Sequence, residues 1–67
     1  MSRYRLYFVD RNDRLIGPAQ VLECPDDAHA LAQAAKRQNR YFTVEVWHGQ
    51  REVGVVLPLQ DSDAAGI

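Results

Sequence analysis

Only one stretch of this sequence, Pro25 to Gln38, has the makings of a helix, and it has little to bury. It holds five alanines (Ala28, Ala30, Ala32, Ala34 and Ala35) and a single leucine, Leu31. Alanine has the best intrinsic helix propensity but carries little apolar area. The regular stretches on either side read as strands. Such a chain can lay one thin helix across one face of a sheet, and the other face stays bare.

The strand readings rest on alternation. Arg3 to Val9 (RYRLYFV) puts Tyr4, Leu6 and Phe8 on one face and Arg5, Tyr7 and Val9 on the other. Asp10 to Arg14 is wholly polar and rich in turn formers, so it predicts a hairpin loop. Leu15 to Glu23 is the returning strand. Pro18 has no N–H for a ladder, which puts this strand at an edge or calls for a bulge at Gly17-Pro18. Tyr41 to His48 (YFTVEVWH) sets Phe42, Val44 and Val46 against Thr43, Glu45 and Trp47. His48-Gly49-Gln50 is a tight turn, with Gly49 free to adopt positive φ. Arg51 to Leu57 pairs back, with Val53, Val55 and Leu57 as its apolar face, and Pro58 ends it.

Pro25 suits the first helical position, and Asp26 and Asp27 favour the positive end of the helix dipole. That choice makes Cys24 the cap residue; Asp26 as cap is the alternative. The apolar stripe is Ala28, Leu31, Ala32 and Ala35, short enough for the helix to sit close on a sheet. Lys36, Arg37 and Arg40 gather at the negative end, and Asn39 is a C-terminal cap candidate.

The expected fold is therefore α+β: a two-layer β-β-α-β-β domain with a four-stranded antiparallel sheet, order 2-1-3-4, and one helix on one face. Placing the first and third strands side by side makes every pair antiparallel and puts the proline-bearing strand at an edge. The domain is expected to span residues 1–58, with 59–67 a flexible tail. On this alternation the uncovered face presents Arg5, Tyr7, Val9, Thr43, Glu45, Trp47, Gly54 and Val56. A sheet face turned wholly to water is normally more polar. Its candidate contact residues are Arg5, Tyr7, Val9, Glu45, Trp47 and Val56. Three readings fit: partial cover for a thin protein; a non-enzymatic interaction module, as a homodimer packed sheet on sheet or paired by edge strands, or with another protein partner; or a ligand or peptide platform.

Composition narrows the chemistry. A chain of 67 residues holds one domain and little core. Its single cysteine forms no internal disulfide, and Cys24, His29 and His48 lack zinc spacing. No stretch approaches the roughly 20 apolar residues of a membrane span, and the start has no signal-peptide pattern, so a cytoplasmic protein is expected. Eight basic against nine acidic residues give a net charge of −1 and no general field for nucleic acid. Arginines interleaved with Tyr4, Tyr7 and Phe8 leave an RNA- or nucleotide-binding platform as an alternative, without the RNP-type pattern. Cys24 at a helix start suggests a thiolate, but no base is placed to serve it, and Asp26 and Asp27 point apart on a helix. No catalytic, cofactor-binding or metal residue is expected, and the chain reads as a non-enzyme.

The succession YRLYFVD at Tyr4 to Asp10, ECPDD at Glu23 to Asp27 and VEVW at Val44 to Trp47 resembles a family of very short, uncharacterised bacterial proteins. The likeness covers about Arg3 to Leu57. It implies a compact stand-alone bacterial protein and brings no activity, ligand or site. A looser likeness, to small β-β-α-β antitoxin-type domains, implies sequestration of a partner; nothing after Leu57 matches the DNA-binding appendage of those domains.

Overall fold

The computed structural model describes residues 1–59. The chain order is β1 (Ser2–Asp10), β2 (Gln20–Cys24), α1 (Asp27–Ala35), β3 (Phe42–His48) and β4 (Arg51–Val56). The four strands form one antiparallel sheet, β2-β1-β3-β4, with the helix on one side. This is the expected fold. The part of the expected tail at 60–67 lies outside the described residues. Leu59, placed in that tail, is tied down: its N–H donates to Asn39 O at 2.8 Å.

The β1–β2 connection follows its residue types. The Asp10 carboxylate accepts from the N–H groups of Asn12 (2.8 Å) and Arg14 (3.0 Å), closing the loop. Leu15 then bridges Val9, but the chain leaves the ladder at Gly17-Pro18 and rejoins it at Gln20. Gly17 has φ +67, a conformation few side chains tolerate. The expected long second strand is thus cut to five residues by the proline bulge.

The helix is shorter than the expected Pro25 to Gln38. Its cap is Asp26, not Cys24. Asp26 is extended, and its carboxylate accepts from His29 N at 2.9 Å. Cys24 is instead the last residue of β2, buried in the core. At the other end, Arg37 N and Gln38 N donate to Ala34 O and Ala35 O, tightening the chain out of the α-helix. Asn39 is no left-handed cap. Its side-chain oxygen accepts from Tyr41 N (2.7 Å) and Phe42 N (3.2 Å) and turns the chain into β3.

The core lies between helix and sheet: Tyr4, Leu6, Cys24, Ala30, Ala34, Val44 and Val46, flanked by Phe8, Leu22, Leu31, Phe42, Val53 and Val56. The helix is rotated from the expected stripe: Ala30 and Ala34 are buried, and of Ala28, Leu31, Ala32 and Ala35 only Leu31 packs on the core while the three alanines are exposed. Phe8 and Phe42 meet edge to face, with centroids 5.4 Å apart.

One expectation about β4 is overturned. The register jumps between Val46, opposite Gly54, and Trp47, opposite Glu52, so Val53 is an extra residue. Beyond that bulge the alternation is reversed. Gly54 and Val56 stand opposite the buried Val46 and Val44 and belong to the helix side. Val55, opposite Glu45, lies on the open face, where the expectation had Val56. A side chain at Gly54 would place its Cβ 3.0 Å from Leu31 Cδ2, so glycine is what lets the helix come down over β4.

Candidate functional site

The open face is a small grid set by strand register. Arg5 stands opposite Val21 on β2 and Trp47 on β3, and Trp47 stands opposite Glu52 on β4. In the next row Tyr7 is opposite Glu45, and Glu45 opposite Val55. In the third, Val9 lies between Leu15 and Thr43. At the Arg3 end, Arg3 is opposite Glu23 and the two charges are 4.0 Å apart.

Five of the six predicted contact residues, Arg5, Tyr7, Val9, Glu45 and Trp47, share this face; Val56 does not, for the reason given above. Val9 is only 7% exposed, wedged between its cross-strand neighbours. Sequence alternation missed Leu15 (64% exposed), Val21 (50%) and Val55 (46%). No element among the described residues covers them. Leu15 and Val21 were legible in the sequence once the β1–β2 pairing was granted; Val55 needed the bulge.

The centre of the face is ordered by one internal bond. Trp47 Nε1 donates to Glu45 Oε1 at 3.2 Å, which lays the indole along its strand. Tyr7, Leu15, Glu45, Trp47 and Gly49 line a shallow groove of about 380 Å³. Beside it Arg3, Arg5, His48 and Gly49 line a hollow of about 310 Å³. Among the described residues, Arg5 has neither an ion pair nor a hydrogen bond, and no cation pairs with Glu45.

A second cluster lies on the helix side and was not foreseen. Asp27 receives a two-pronged contact from Arg51, at 3.0 and 3.1 Å, and the Tyr4 hydroxyl at 2.8 Å. The Tyr4 ring packs on His48 at 4.8 Å. The Arg51 guanidinium, with the Tyr4 hydroxyl next, holds the Asp27 carboxyl below its ordinary range. The bond to Asp27 in turn raises the Tyr4 phenol, because it favours the protonated, donating form. Asp26 is lowered in the same way by the His29 ring, 2.7 Å away, and its N–H. With Asp27 committed to three donor groups on two residues, the cluster is a clamp holding the helix start to β1 and β4. Tyr4 and Arg51 are 47 positions apart, a separation that local pattern cannot connect.

Among the described residues no group of three or more His, Cys, Asp or Glu could hold a metal ion. None of the described helices is long and apolar enough to cross a membrane. Comparison with protein families, curated proteins and solved structures finds no match.

Proposed function

We propose that this chain is a non-enzymatic interaction module that self-associates through its open sheet face. The observation behind the reading is the uncovered set Tyr7, Leu15, Val21, Trp47 and Val55, opposite the only helix of the described residues. Apolar surface of this kind on one side of a thin domain is released from water by a second sheet. Four strands at about 4.8 Å spacing and three same-face rows give a patch on the order of 400 Å². Doubled across a dimer, that is at or below the low end of specific interfaces, so micromolar self-association is expected. Sedimentation equilibrium tests this. The wild type should dimerise in the micromolar range, and Trp47→Ala should shift it to monomer with unchanged circular dichroism. A wild type that stays monomeric at hundreds of micromolar rules the reading out.

A second reading has an observation of its own: the hollow lined by Arg3, Arg5 and His48 beside the Trp47 indole. Single-stranded RNA would stack a base on the aromatic face and place a phosphate on the arginines. Titration at low salt, followed by Trp47 fluorescence, should then show binding that weakens with salt and with Arg5→Ala. An unchanged signal removes it. Thiol chemistry at Cys24 has the least support, because the residue is buried and is not the helix cap.

A further inference from the structure

The centre of the open face is four residues in a quadrilateral. Arg5 is opposite Trp47 and Tyr7 is opposite Glu45, so the two charges occupy one diagonal and the two aromatics the other. Its edges are set by sheet geometry: about 4.8 Å between strands and about 6.8 Å between same-face residues along a strand. Both charges are unspent. Arg5 has no partner among the described residues, and Glu45 gives one oxygen to the Trp47 indole and none to a cation.

We infer that the second copy docks face to face about a two-fold axis through this quadrilateral, pairing Arg5 of each copy with Glu45 of the other. The inference rests on the self-association proposed above and adds its register. A two-fold contact is self-complementary, so each pairing occurs twice. An axis across the strands sets each arginine about 4.8 Å sideways from the opposing Glu45 and about 6.8 Å from its own copy, and an axis along the Tyr7–Trp47 diagonal sets it nearly over that Glu45. An axis parallel to the strands reverses those two spacings and leaves each charge nearer its own copy, and one along the Arg5–Glu45 diagonal stacks like on like; like charges brought together out of water repel strongly. Tyr7 and Trp47 fill the middle in the allowed arrangements, as large aromatic side chains do at the centre of interfaces. Glu52 is the other unpaired carboxylate of this face, but it sits one strand further out, at the edge, opposite Trp47. It is the built-in control for a general charge effect.

The test is charge exchange between copies, read by sedimentation. Arg5→Glu alone and Glu45→Arg alone each place like charges together twice and should weaken the dimer about tenfold or more. An equimolar mixture of the two variants restores both pairings in a heterodimer and should associate at least as tightly as wild type. The double variant Arg5→Glu/Glu45→Arg should recover as well; recovery in the mixture shows that the single variants fold. In a mixture of Arg5→Glu with Glu52→Arg, the Glu52→Arg chains should dimerise with themselves, and the Arg5→Glu chains should stay as weakly associated as they are alone. If the wild type dimerises but the single variants match it, or the Glu52→Arg mixture recovers equally, the register is wrong and the self-association reading stands. If the wild type is monomeric throughout, both fall.

Discussion

Asp27 shows how one side chain can join three elements. It starts the helix, accepts the hydroxyl of a β1 tyrosine and holds an arginine of β4. Its lowered carboxyl pKa has a definite consequence for stability. A carboxyl that is more acidic when folded stabilises the fold above its unfolded pKa, about 3.9, and that contribution is lost as pH falls through the folded value. Asp26 adds to the effect with the same sign. The phenol of Tyr4 is raised, so its contribution is present below about pH 10 and fades as pH rises past it. Thermal melts should therefore fall away below about pH 4, and Asp27→Asn should flatten that acid limb while lowering the melting temperature at neutral pH. Gly54 is the other residue on which geometry turns. Gly54→Val should destabilise by about 1–3 kcal/mol, because its methyls enter the space of the Leu31 tip. Leu31→Ala in the same chain should recover part of that loss, a coupling that urea melts of the four variants would measure.

At nine residues, α1 is shorter than a helix that stands alone in water. It is held by its cap, by the Asp27 clamp and by Ala30 and Ala34 against the sheet. Asp26→Ala should therefore lower helical circular dichroism and speed hydrogen exchange at His29, whose N–H loses its acceptor. Asp26→Asn keeps an acceptor at the cap and should leave both largely in place. The sheet is ordered differently, from its two inner strands. β1 and β3 pair over six positions, and Leu6, Val44 and Val46 are fully buried. Amides shared by β1 and β3 should exchange most slowly and those of β2 much faster, since β2 is an edge strand of five residues. A β2 as slow as β1 would contradict that ranking.

Across the whole molecule, the two faces of one sheet have different fates. The helix side holds the core and the clamp; the other side holds unpaired charges, two aromatics and exposed valines. A protein this small has little core to spare, so the surface left over is a large share of its apolar area. Self-association would recover part of it. The dimer, if formed as inferred, should raise the melting temperature with protein concentration. A melting temperature independent of concentration across the micromolar range would count against it.

Sequence alone determined the two-layer fold, the strand order and most of the open face, because each follows from short-range facts. Alternation of period two names the faces of β1 and β3, Pro18 marks an edge, and a single alanine-rich helix leaves one face bare. Tertiary structure decided the remainder. The bulge at Val53 exchanges Val55 and Val56, since one extra residue reverses every later side chain of a strand. It also puts Gly54 beneath Leu31. The cap passes from Cys24 to Asp26 because β2 needs Cys24 in the core. The Tyr4–Asp27–Arg51 clamp depends on three distant segments meeting in space, which no local pattern encodes.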